Sequence, residues 1–177
     1  MKNGTAFRTF FEETTAFLDG LSVAGLYAEP LPSVADERMG EIVTRVLTAA
    51  PGERRLFHQT LHDKHRSLLG IAGHRLATLA AREESKQKLR LGLAAAAIAN
   101  FSIPEKRNVE VALAVYYHCA RKLGMNIVDL FEEAADLTSP ETAVILRSYG
   151  RRSDVTLHKY GWREIKTPDG IKFKFQW

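Results

Sequence analysis

His58, His62 and His65, with Asp63 beside them in LFHQTLHDKH, are the residues of this 177-residue chain whose types and spacing point most directly to chemistry. At about 100° per residue on one helix, the three imidazoles fall within about 60° of one another, on a single stripe. Neutral imidazoles so placed can ligate zinc or iron, with a fourth ligand from elsewhere in the fold. The same stripe continues as Leu69, Ala72 and Leu76, so the histidines also occupy the edge of a packing face, where structural histidines are common. The sequence has no HExxH motif. A metal-dependent enzyme using His58, His62 and His65 is therefore an alternative expectation, set against a purely structural use of the stripe.

The His62-Asp63 pair resembles the motif of histidine–aspartate phosphohydrolases, whose further His and Asp ligands on other helices have no match here. The stretch Cys119–Asp136, CARKLGMNIVDLFEEAAD, resembles a helix-turn-helix, with Ala120 four residues before Gly124 and with Leu123, Met125 and Leu130 apolar. A helix that reads the major groove offers bases to the phosphates. The second helix here offers Asp129, Glu132, Glu133 and Asp136, which phosphates repel. The stretch is closer to the closing helices of phage-repressor-type domains, which pack and do not read bases. Cys119 next to His118 is not a nucleophile–base pair, because adjacent helical side chains diverge by about 100°. No glycine-rich phosphate loop and no GxSxG occurs, and the Glu83-Glu84 and Glu132-Glu133 pairs read as solvated helix faces.

A third candidate is basic. The net charge of +4 is unevenly spread: residues 1–50 carry −3, residues 51–90 carry +5, residues 91–150 carry −2 and residues 151–177 carry +4. If segments 51–90 and 151–177 meet in space, they can attract a polyanion. Arg151, Arg152, Arg163, Lys166, Lys172 and Lys174 lie with Lys159 beside Tyr160 and Trp162, a composition suited to single-stranded nucleic acid, where rings stack on bases and cations track phosphates. Outward lysines on a hairpin that must not aggregate give the same composition.

These residues sit on a chain of ordinary globular make-up, 45% hydrophobic and 26% charged, enough for a sizeable core in one domain. Cys119 is the single cysteine, so no intramolecular disulfide forms and a cytoplasmic setting is expected. The opening MKNGTAFRTFFEETTAF has Glu12 and Glu13 where a signal peptide would be apolar. The longest uncharged run, Leu91–Ile103, is too short to cross a membrane.

The elements are mostly helices. Apolar spacing predicts one over Thr5–Leu18, with Thr5 as cap, then a loop in Gly25–Pro32 and a second helix from Ser33 to the stop at Pro51-Gly52. Glu53–Glu84 reads as one long helix that Gly70 and Gly73 can break or bend. Ser85 caps the next. The chain then centres on Leu89–Ala135, where Leu91–Ile103 and Val109–Ala120 fold back on each other about the turn SIPEKRN, brought close by Ala94–Ala97. Pro104 in that turn can open the second of these helices. Gly124 suits a left-handed helix end, Asn126 starts a short helix, and Ser139-Pro140 starts another over Glu141–Tyr149. Ser153 and Asp154 can open one more turn through His158. The end, WREIKTPDGIKFKFQW, alternates Ile171, Phe173, Phe175 and Trp177 with polar residues and turns at Thr167–Gly170, which is a β-hairpin with one buried face.

The expected fold is thus mainly α, about seven helices in a compact bundle or short helix-pair stack (residues 1–160), with a C-terminal β-hairpin (161–177) packed on them. The leading functional expectation is a non-enzymatic helical scaffold or protein-interaction module, binding a protein partner or itself, with no resident cofactor and no membrane. The alternatives are a nucleic-acid-associated protein using segments 51–90 and 151–177, and the zinc- or iron-dependent enzyme on the histidine stripe.

Overall fold

Eight α-helices and a two-stranded hairpin make up most of residues 2–21, 33–101, 109–168 and 170–175, the residues that the computed structural model describes. The helices are α1 (Lys2–Asp19), α2 (Ser33–Thr48), α3 (Pro51–Thr60), α4 (Asp63–Glu83), α5 (Lys86–Ile98), α6 (Val109–Lys122), α7 (Ile127–Ala135) and α8 (Pro140–Gly150). A 3₁₀ turn, His158–Tyr160, leads into β1 (Trp162–Thr167) and β2 (Gly170–Phe175). The starts of α5, α7 and α8 fall where a side-chain oxygen meets the free amides of a first turn. Ser85 accepts from the Lys88 amide at 3.2 Å, Asn126 from the Asp129 amide at 3.1 Å, and Ser139 from the Thr142 amide at 3.4 Å, followed by Pro140 in the first turn. Gly124, at φ 66°, ends α6 in the expected left-handed conformation. The expected loop in Gly25–Pro32 and the SIPEKRN turn with Pro104 lie outside the described residues. α1 begins at Lys2, so Thr5 is inside the helix and does not cap it.

The long helix expected over Glu53–Glu84 is two helices, and the described residues hold eight where about seven are expected. The break is not at Gly70 or Gly73, both of which lie within continuous α4. It falls at Leu61 and His62, which take extended backbone (φ −65°, ψ 126° and φ −69°, ψ 152°). Leu61 turns into the core there, and Asp63 opens α4 with an acid at the positive end of the helix.

The close helix pair also differs from the expected one. α5 packs most extensively on α4, and less on α6. Glu84 in the left-handed conformation and Ser85 reverse the chain directly after α4. Gly73 and Gly92 then lie face to face: a Cβ on Gly73 would stand 2.5 Å from the Gly92 carbonyl oxygen, and one on Gly92 2.7 Å from that of Gly73. Ala94–Ala97 are buried as the close approach requires, with α4 as the main partner. Beyond α5, Asn100 and Phe101 both take φ 53°. The Asn100 side-chain oxygen accepts from the hydroxyls of Thr138 at 2.7 Å and Ser139 at 2.9 Å, tying the end of α5 to the start of α8. Phe101 is buried edge-on to Tyr116. α7 and α8 form the next pair, with the Phe131 and Tyr149 rings stacked between them.

The hairpin pairs antiparallel in the register Trp162↔Phe175, Glu164↔Phe173 and Thr167↔Gly170. Gly170, at φ 120°, closes the expected turn; Asp169, Gln176 and Trp177 lie outside the described residues. A hairpin alone is marginal in water, and this one is docked. Trp162, 5% exposed, donates its indole N–H to the Val111 carbonyl at 2.7 Å. It also stacks on His74 with ring centres 5.4 Å apart. Phe173 meets His118 edge-on, and Arg82 of α4 donates to the Ile171 carbonyl at 3.3 Å. Among the described residues no helix is long and apolar enough to cross a membrane.

Candidate functional site

The helix break separates the three histidines. His58 lies in α3, His62 is the N-cap residue of α4, and His65 is inside α4. His62 and His65 remain neighbours, with ring centres 5.9 Å apart, but the single stripe through all three no longer exists, because Leu61 and His62 leave helical geometry. His65 is 7% exposed, and its Nε2 lies 2.8 Å from a carboxylate oxygen of Asp19, at the end of α1. That contact, with Lys64 at 3.5 Å, holds the Asp19 carboxyl below the usual aspartate range. This is a tie between α1 and α4. Among the described residues no three His, Cys, Asp or Glu side chains come together as metal ligands do.

Three of the four carboxylates that argue against DNA reading by Cys119–Asp136 are paired within the fold. Arg147 of α8 bonds Glu132 at 2.9 Å and Asp136 at 3.3 Å, and Arg90 of α5 bonds Glu133 at 2.8 Å. Cys119 is buried with its Sγ 3.6 Å from the Ala77 carbonyl oxygen. Burial pushes its thiol up to about 12, which keeps it protonated and a poor nucleophile.

Few bases of segment 51–90 form an outward patch. Arg54 donates to the carbonyls of Leu47, Ala49 and Asp136, Lys64 faces Asp19, and Lys88 bonds Glu83 at 2.6 Å. The two basic segments meet where Arg82 reaches the hairpin at Ile171. Within the second segment, Arg151 is exposed beyond α8. Arg152 bonds the Tyr160 hydroxyl at 3.0 Å and lies over the Tyr149 ring. Tyr160 and Trp162, the expected stacking rings, pack on Tyr149 and His74.

Residues directly opposite in the hairpin share a face. The register therefore places Trp162, Glu164, Lys166, Ile171, Phe173 and Phe175 on one face, and Arg163, Ile165, Thr167, Gly170, Lys172 and Lys174 on the other. The first is the docked face; the second points outward, with Arg163, Lys172 and Lys174 exposed. Lys166 is exposed near the tip, on the docked-face side.

Two features had no mark in the sequence. Glu164, on the docked face, pairs with Lys122 of α6 and stands 3.5 Å from His118 Nε2. Burial raises the Glu164 carboxyl, but Lys122 and His118 more than reverse this, so it titrates below the usual glutamate range. Burial also holds the His118 imidazole below its usual range, against the pull of Glu164. The second is an open groove of about 320 Å³ between the first turns of α5 and α7, lined by Lys86, Arg90, Met125, Asp129 and Glu133. Arg90 is paired with Glu133 along it. The capped starts at Ser85 and Asn126 were readable; their side-by-side placement was not.

No protein family, curated protein or solved structure matches this chain.

Proposed function

We propose that this chain is a non-enzymatic helical scaffold, an interaction module that works through the outward face of its C-terminal hairpin. The observation that carries the reading is the division of the hairpin into two unlike faces. Trp162 and Phe173 fix the inner face on α4 and α6, with Phe175 packed edge-on against Trp162, and the outer face presents Arg163, Lys172 and Lys174. A short sheet docked so firmly is a rigid platform, and rigid platforms bind with less ordering cost than mobile segments.

The catalytic readings draw less support. The Cys119 thiol is held protonated by burial, and His65 is engaged by Asp19. The nucleic-acid reading keeps its cations, but the rings it needs for stacking are packed inward. A second copy meeting this one through the same face would set cations against cations.

The test is comparative capture from the native cell. Bait with the wild-type hairpin is run beside bait carrying K172E and K174E, and proteins and nucleic acids that co-purify are quantified. Partners lost from the reversed bait support the module. An identical set on both baits refutes it.

A further inference from the structure

The outward hairpin face, we infer, is a docking site for an extended acidic polypeptide segment; the inference rests on the hairpin being the working surface. Lys172 and Lys174 are two positions apart on β2 and point the same way, so they repeat at about 6.6–6.8 Å. An extended chain carries every second side chain on one side at that same repeat, so a segment of the form Glu-x-Glu sets its carboxylates opposite both ammonium groups. Arg163 stands directly across from Lys174, and Ile165 across from Lys172. The platform is thus a pair of exposed lysines on one strand, with the half-buried Ile165 beside the first of them. Lysine suits this use, because a compact ammonium group accepts a carboxylate from many directions.

Among the described residues no carboxylate stands on this face, and none pairs with Lys172 or Lys174. Glu164, the strand's own carboxylate, lies on the opposite face, held by Lys122. The ammonium groups of Lys172 and Lys174 are therefore not neutralised by any carboxylate among the described residues. Single-stranded nucleic acid is the competing occupant, and it draws much of its affinity from rings stacked on bases. Trp162 is buried, and Phe173 and Phe175 are on the docked face. Those observations favour the peptide.

The experiment measures anisotropy of fluorescein-labelled Glu-Val-Glu-Val-Glu-Val-Glu, its Gln-for-Glu counterpart and an oligo-dT on the full chain. The acidic peptide is expected to bind most tightly and to weaken as salt rises from about 0.05 M to about 0.5 M. K172E/K174E should weaken it about tenfold or more, from lost attraction plus new repulsion at two exposed sites. R55E/K86E removes the same net charge from exposed sites elsewhere and should change it by no more than about twofold. All four positions are exposed, and equal melting temperatures confirm that both variants fold. The inference is overturned if the glutamine peptide binds as well, if both double variants weaken binding alike, or if oligo-dT is preferred. Any of these, with cellular capture still dependent on Lys172 and Lys174, removes the acidic partner and leaves the module; capture indifferent to the lysines removes both.

Discussion

Gly73→Ala puts the α4–α5 crossing to a test in which helix propensity and packing predict opposite signs. In an exposed helix interior the change stabilises by about 1 kcal/mol, because alanine loses less backbone freedom on folding. At Gly73 the added Cβ would lie 2.5 Å from the Gly92 carbonyl oxygen, 3.0 Å from the Tyr116 hydroxyl and 3.1 Å from the Ala96 amide nitrogen. The Gly92 and Ala96 atoms are backbone and cannot rotate away, so α5 must retreat by roughly 0.9 Å to restore ordinary contact. Overpacking of this kind costs about 1–3 kcal/mol, and a rigid retreat of the alanine seam places Gly73 at the upper part of that range. Set against the propensity gain, the net loss is about 1–2 kcal/mol, or a fall in Tm of about 2–8 °C for a chain of this length. Gly40→Ala is the matched control, since its Cβ meets only Leu91 Cδ2, at an ordinary 3.8 Å; it should stabilise by up to about 1 kcal/mol. Both are read by calorimetric melts with urea unfolding as a check. A Gly73→Ala protein that melts at or above the wild type would refute the crossing. Gly92→Ala should cost a similar amount, and the double variant less than the two together, since the helices separate only once.

Acidification should loosen the hairpin through His118. Burial depresses its imidazole in the folded chain, so the unfolded chain binds the proton first and stability falls as pH drops below about 6.5. Urea unfolding at about pH 7.5 and about pH 5.5 should show a smaller difference for His118→Gln than for the wild type; equal slopes would dismiss the argument. Asn100→Ala should cost about 1–3 kcal/mol by removing the acceptor for Thr138 and Ser139 and placing an alanine at φ 53°. Asn100→Gly should cost about 1 kcal/mol less by relieving the backbone alone, and chemical denaturation that cannot separate the two would contradict this account. Chelation with EDTA should leave Tm unchanged; a fall of more than about 2 °C that zinc reverses would restore a metal held by His58 and His62.

The fold was legible where a signal is local. Ser85, Asn126, Ser139-Pro140 and Gly124 each satisfy or end a helix with groups a few residues away, and the hairpin announces itself by strict alternation. The misreadings arise where two distant stretches decide together. Gly70 and Gly73 look like helix breakers in isolation. Gly73 earns its place only because Gly92 lies across from it, and nothing within either helix records that pairing. Leu61 looks like one more residue on a long helical stripe. It leaves the helix because its side chain finds a place in the core, a gain that periodicity cannot weigh against a lost helical turn.

The histidine stripe and the basic tail show the same limit from the side of chemistry. The stripe depended on one phase running from His58 to His65, so two extended residues at 61 and 62 were enough to dissolve it, and Asp19, 46 positions from His65, then supplied the partner. The tail kept its charge and lost its rings. Alternation alone places Lys172 and Lys174 on the face opposite Phe173, and that much is in the sequence; the register adds Arg163. What alternation cannot say is which aromatic residues the helices claim. Trp162 is taken by His74 and Val111, and Tyr160 by Tyr149 and Arg152; both partnerships join residues from different elements. Cations without free rings offer a single strand contacts to its phosphates but no stacking for its bases, and the proposed acidic segment needs only the cations.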